Sequence, residues 1–363
     1  LVKMAFIVSM IGYWLPKGIE YACAVVVMGI SIGEVACFLF SFWGYIQAKN
    51  KGKQREKATI TGVTSKIGKI IIPLSITAYI RSALRLAEDV LILAGLKTFS
   101  GNDSAATGVY GMLKGMVMPL LVFPLSLLSS FVITLTPEIS RMNAAGNSKR
   151  LESTISRILS YTFIAGILIV VVFMTFPTQL GVAIYKDAAV GDMLRQLSFL
   201  CPFMCVEMVV VDILNGMGQQ VASMRYALAD SVVRIAMIYF LIPINGVKGF
   251  MAMMVVSNIM TSVFNLVRLI RVTKIKFRFN EWVIKPVLAA AASSQIVAAV
   301  MNYGLLDAFS PRFALVMGIA IVCAVYILML LSVGSVRLRD FTWIVNRLRT
   351  SSKTPKAAPE SAV

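Results

Sequence analysis

The chain has 363 residues, of which 58% are hydrophobic and only 14% charged, and its mean hydropathy is +0.82. Soluble globular domains average about 45 to 50% apolar and about 25% charged residues, so composition excludes that class and points to an all-α chain of many membrane spans. The net charge of +18 would suit a nucleic-acid partner, but the placement of the basic residues, given below, argues against one.

Taken in chain order, the opening LVKMAF has no initiator Met and no small-residue cleavage site, so it does not read as a secretory signal and the chain reads as a fragment of a longer protein. Hydropathy then predicts about ten transmembrane helices, at 1–15, 20–46, 70–96, 110–136, 155–177, 193–215, 224–243, 249–270, 284–303 and 313–334. The links between them, such as SGNDSAATG, NAAGNSKR, NGMGQQ and PINGVKG, have turn chemistry. His is absent, which removes the commonest metal ligand. The five Cys all fall in apolar runs without CxxC spacing and read as small packing residues. No cofactor or metal motif is found.

If the helices alternate across the bilayer, the loops 47–69, 137–157, 216–226 and 268–285 and the tail from 335 share one side and hold 24 Lys and Arg, against five on the other. That asymmetry puts the basic side and the C-terminus in the cytoplasm and explains the +18 as attraction to anionic lipid. Six further cations and six acids lie within spans and balance one another.

The stretch KNKGKQREKATITGVTSK is the one long polar interruption and reads as a linker between bundles. Residues 18–35 can be laid over 246–263 with four identities, among them Gly18 on Gly246, as expected of repeat halves. The expected domains are 1–46, the end of an N-terminal lobe; 47–69, a cytoplasmic linker; 70–272, a complete six-helix lobe; 273–335, two additional helices; and 336–363, a basic tail. On that count roughly 150 to 160 residues, four or more spans, would precede the chain.

Two stretches carry a family resemblance. Residues 107–151, TGVYGMLKGMVMPLLVFPLSLLSSFVITLTPEISRMNAAGNSKRL, resemble the second helix of a lobe in the multidrug/oligosaccharidyl-lipid/polysaccharide exporter superfamily. Residues 212–269, with LNGMGQ and NGVKG as landmarks, are similar to its last three lobe helices. The two helices beyond them are similar to the polysaccharide-biosynthesis, stage V sporulation protein B and lipid II flippase branch. The resemblance implies two six-helix lobes around a central cavity that opens alternately to either side, in the bacterial cytoplasmic membrane. It also implies a cargo, an undecaprenyl-pyrophosphate-linked saccharide or peptidoglycan precursor.

Within the spans, Arg81, Arg85, Glu88 and Asp89 share one face of a helix with Thr77. A charge at mid-bilayer costs about 2.5 to 3.5 kcal/mol, so this stripe must face protein or water. Two readings stand. Arg81 and Arg85 could line a cavity and grip an anionic head group, with Glu88 and Asp89 orienting them; or the four form a structural network in which Arg85 pairs along the helix with Glu88 or Asp89. Lys114 and Arg234 join the candidate substrate-binding cations, although Lys114 can also reach the interface and Arg234 can pair with Asp230 four residues before it. Glu207, the most isolated acid, is a candidate proton or sodium site beside Glu88, Asp89 and Asp230, and Asp212 is read as serving the adjacent turn. Pro119 and Pro124 in one span are candidate hinges.

These features favour a lipid-linked saccharide flippase, with membrane lipids and a coupling ion, H+ or Na+, as further partners and the chain expected to act as a monomer. The alternative is a cation-coupled multidrug exporter of the same superfamily, which would favour lone carboxylates. A membrane-embedded enzyme is disfavoured, because no loop is large enough for a catalytic domain.

Overall fold

The computed structural model describes residues 2–51, 63–302 and 310–334, all helix and short turns with no strand among them. The chain is an all-α, polytopic membrane protein. It divides into two compact units, Leu1–Ile72 and Pro73–Val363. The basic tail and most of the expected linker lie outside the described residues.

The first unit holds α1 (Val2–Trp14) and α2 (Ile19–Lys51), joined by a short 3-10 turn. Gly18 makes the reversal with φ +136°, a region that side chains other than glycine enter at a cost. At this end Lys17 sits 3.9 Å from the ring centre of Tyr13 and 4.4 Å from that of Trp14. A cation over amphipathic rings at the end of an apolar hairpin is an interfacial anchor.

Helix α3 (Val63–Ser100) begins in the first unit and runs on into the second, where it is followed by a span made of α4 (Asp103–Met112), a π segment Leu113–Val117 and α5 (Met118–Ala144). Then come α6 (Ser148–Thr175), α7 (Pro177–Tyr185), α8 (Ala188–Leu197), α9 (Cys201–Gly216), α10 (Gln220–Asn245) and α11 (Val247–Thr273). A second π segment, Asn280–Ile284, leads into α12 (Lys285–Asn302), and α13 (Pro311–Ser332) ends the described chain. Both π segments stop two residues before a proline, Pro119 and Pro286. Proline cannot donate to the carbonyl four residues back and its ring crowds that carbonyl, so the preceding turn widens. Pro124 lies seven residues into α5.

Over its described residues each of the ten expected apolar segments is essentially helical. Seven helices are long and apolar enough to cross a membrane among the described residues. The others fall short for physical reasons: α1 has 13 residues, about 20 Å at 1.5 Å each, and α3 carries the charged stripe. The nine-residue α7 was expected as a link, since so short a helix leaves no hydropathy peak.

Close approach builds the core. A Cβ on Gly166 of α6 would lie 2.7 Å from Pro202 Cα, so only glycine lets α6 and α9 touch backbone to backbone. The last two helices pack on α6. Ala289 and Ser293 of α12 are buried, and the Tyr326 hydroxyl of α13 donates to the Ile164 carbonyl at 3.2 Å. The AAAASSQ run therefore supplies the small face that α12 needs.

Candidate functional site

The charged stripe of α3 splits into two environments. At its Glu88 and Asp89 end, acids are taken by other helices. Glu88, only 4% exposed, receives the Arg234 guanidinium of α10 at 2.8 Å, and Ser231 is a further hydrogen-bond partner. Arg234 also reaches Asp230 at 4.0 Å, and the Ser257 hydroxyl of α11 donates to both Asp230 oxygens, at 2.7 and 2.9 Å. Asp89 meets Lys114 of the π segment at 2.8 Å and hydrogen-bonds the Tyr110 hydroxyl. The expected pairing of Arg85 with Glu88 or Asp89 is not formed. Cross-helix cations hold both acids, and Arg85 is left exposed. Burial explains the preference: a pair between packed helices is screened less than one along an exposed helix face.

Arg81 faces a cavity of about 700 Å³ enclosed by α3, α5, α9, α10 and α11. It forms no ion pair among the described residues, although Glu207 is near enough to feel its charge. Glu207 lines the same cavity, with Thr261 as hydrogen-bond partner. Asp212 also lines it and accepts a 2.7 Å hydrogen bond from Ser129. Asp212 therefore belongs to the cavity wall and not to the neighbouring turn, whose carbonyl at Gly216 is instead taken by the Ser140 hydroxyl. The cavity runs from Asn215 and Gln220 at the α9–α10 turn to Arg81, midway along α3, and Val122, midway along the joined α4–α5 span.

Neutral polar residues complete the wall and were missed in the sequence. On α11, Ser257, Asn258, Thr261, Ser262 and Asn265 are all buried. Their spacing i, i+1, i+4, i+5, i+8 draws one helix face, a signal readable in SNIMTSVFN but hidden because hydropathy averages over it. Asn258 and Asn265 donate their amides to the carbonyls of Met254 and Thr261, at 2.7 and 2.9 Å. That leaves Asn265 Oδ1, on a residue 2% exposed, and Ser223 Oγ without a partner among the described residues, and both residues line the cavity. A buried polar atom without a partner costs about 1 to 3 kcal/mol, a cost that a polar cargo would remove.

Of the four cations expected to bind substrate, Arg81 lines the cavity, Arg234 and Lys114 are engaged by carboxylates, and Arg85 is among neither set. Of the four acids, Glu207 lines the cavity, while Glu88, Asp89 and Asp230 belong to the clamp. Among the described residues no three of Cys, Asp and Glu gather as a metal-binding group. A second cavity of about 750 Å³ lies at the opposite end, where Phe199, Val287 and Ala291 make an apolar wall beside Arg195 and Gln295.

Residues 98–240 match the MatE family model. Over 349 residues the chain is 22% identical to stage V sporulation protein B of Bacillus subtilis (strain 168), an alignment covering 91% of this chain and 64% of that protein. Its fold is similar to that of lipid II flippase MurJ in an inward closed conformation, with a TM-score of 0.58 at 15% identity over 90% of this chain and 65% of the other. The chain thus spans just under two thirds of the length of these relatives. The MatE stretch covers α4 to α10, which supply three of the five cavity walls, and the likeness in sequence and fold extends over nine tenths of the chain. The family match, the sequence likeness and the fold likeness all agree with a resemblance to the multidrug/oligosaccharidyl-lipid/polysaccharide exporter superfamily.

Proposed function

We propose that this chain is part of a flippase that moves a lipid-linked, undecaprenyl-pyrophosphate-type saccharide across the bacterial cytoplasmic membrane by alternating access. The observation that carries the reading is Arg81, a guanidinium inside the spans that opens onto a cavity lined by apolar residues with a few polar ones among them, and that is not neutralised by an ion pair among the described residues. A planar guanidinium meets two phosphate oxygens at once, and the unpartnered Asn265 Oδ1 and Ser223 Oγ suit the hydroxyls of a sugar. No bond is made or broken, so the chain acts as a transporter and not as an enzyme. The similar solved structure bears the name of a lipid II flippase, a cargo of the same class.

The division of labour follows from the two environments on α3. Clamped pairs make α3, the π segment and α10 move as one body, while the cavity beside them holds the head group. Pro119 and Pro124 sit where the adjoining span bends and would serve as its hinge. Glu207 would hold a coupling proton or sodium, or orient the cargo. The apolar cavity beside α12 would take part of the lipid tail.

A second reading, cation-coupled export of a cationic drug, rests on one specific observation: Glu207 and Asp212 put two carboxylates in the cavity beside one guanidinium. The deciding experiment measures arrival of lipid-linked saccharide at the outer leaflet in cells carrying Arg81→Ala in the full-length protein. The flippase reading expects that arrival to fall while protein level is maintained. Undiminished arrival, together with sensitisation to cationic drugs, would select export.

A further inference from the structure

A third cavity, of about 390 Å³, lies at the basic end of the second unit and has no part in the cargo reading. One wall is a single face of α6, with Lys149, Ser153, Ser156, Arg157 and Ser160 spaced over three turns. Between Lys149 and Ser160 this face extends for about 16 Å along the helix. The other wall is the link between α11 and α12, where Lys274 ends α11 with φ +56° and Ile275, Lys276 and Arg278 follow in extended chain. Arg278 is paired with Glu281 at 3.1 Å. Lys149 and Lys276 then face one remaining carboxylate, Glu152, so the cavity has an excess of positive charge.

Two further features give this excess a direction. Among the described residues Ser153, Ser156 and Ser160 make no hydrogen bond back to their own helix, as Ser126, Ser130 and Thr162 do on theirs, and all three line the cavity. Beside the cationic wall lies an aromatic cluster. Trp282, 2% exposed, packs 5.0 Å from Phe277 and 6.3 Å from Phe163, and Phe277 continues to the exposed Phe279 at 6.2 Å. Cations and hydroxyls next to half-exposed aromatic rings, at the basic end of spanning helices, match the phosphate, glycerol and upper acyl chain of a membrane lipid.

We infer that this cavity is a binding site for the phosphate head group of an anionic phospholipid in the leaflet on the basic side. Lys149 and Lys276 contribute the charge, and Ser153, Ser156 and Ser160 the hydroxyl donors. Since the α11–α12 link forms one wall, an occupied site would tie α12 to α6.

The test uses the full-length protein in neutral detergent, titrated with short-chain phosphatidylglycerol and followed by native mass spectrometry. Each basic residue near an anionic surface contributes on the order of 1 kcal/mol, about fivefold, so Lys149→Gln with Lys276→Gln is expected to weaken binding about thirtyfold. Arg271→Gln with Lys274→Gln removes the same charge from the same side, outside the cavity lining, and is expected to change affinity less than about threefold. Ser156→Ala with Ser160→Ala keeps the charge and is expected to weaken binding about fivefold or more. Phosphatidylcholine should bind no better to the wild type than to the lysine variant, and millimolar inorganic phosphate should not displace the lipid. Equal losses in the two charge variants would overturn the site in favour of diffuse surface attraction. Full displacement by inorganic phosphate would overturn the lipid in favour of a soluble phosphate ligand.

Discussion

Arg81 and Glu88 lie two turns apart on one face of α3, yet Glu88 is held at 2.8 Å by Arg234, whereas Arg81 opens onto a cavity of about 700 Å³. The same stripe thus serves two purposes. One end spends its charge on holding helices together, and the other keeps it available. What separates them is the neighbouring sequence: α10 presents Arg234 and Asp230 to the first, whereas α9 offers the second Glu207 and Asp212, and α11 the amides of Asn258 and Asn265. A polar residue inside a membrane bundle cannot be assigned a role from its own helix alone, because its partners lie on others.

This contrast can be broken most forcefully at the clamp. Arg234→Met leaves Glu88 buried without its cation and is expected to cost about 3 to 5 kcal/mol, measured by thermal or denaturant unfolding in detergent. Adding Glu88→Met should restore most of that stability, since an apolar pair of similar volume replaces a buried ion pair at little cost. A loss below about 1 kcal/mol in the single variant would mean the pair does not hold α3 to α10.

At the open end the expectation is reversed. Arg81→Ala should leave unfolding within about 0.5 kcal/mol of wild type, as for a substitution outside the packed core, but lower cargo transport roughly 10- to 100-fold, the value of about 1.5 to 3 kcal/mol for contacts to a charged group. An intermediate effect is expected at Asn265→Ala, where loss of a neutral hydrogen-bonding group should weaken cargo affinity by about fivefold in a direct binding measurement. Arg85→Gln should do least, with both transport and stability within about 0.5 kcal/mol, because Arg85 is exposed and outside both the clamp and the cavity lining. A loss as large as that of Arg81→Ala would instead bring Arg85 into the cargo site.

Span positions were legible in the sequence because each is a long apolar run that must satisfy its backbone internally, and helix is the only local way to do so. Turn chemistry was legible for the same local reason. Gly18 and Gly246, which coincide when residues 18–35 are laid over 246–263, both adopt positive φ where a helix reverses, +136° and +54°. Site residues were only half legible. Arg81 and Glu207 stood out as charges in apolar surroundings, but the stripe from Ser257 to Asn265 did not, since neutral polar residues hardly lower the hydropathy of a span. Pairing was less legible still: helical spacing favours Arg85 as partner of Glu88 and Asp89, and packing gave those acids to Arg234 and Lys114.

By itself the sequence determined what each segment had to be: apolar and helical across the bilayer, basic on one side, bent at Pro119 and reversed at its glycines. These depend on interactions between residues a turn or two apart. Only the tertiary structure decided which charges are neutralised and which are left facing space, because that depends on helices far apart in sequence meeting at distances near 3 Å. Electrostatic energy changes steeply over those few ångströms, and no spacing along a single helix contains them.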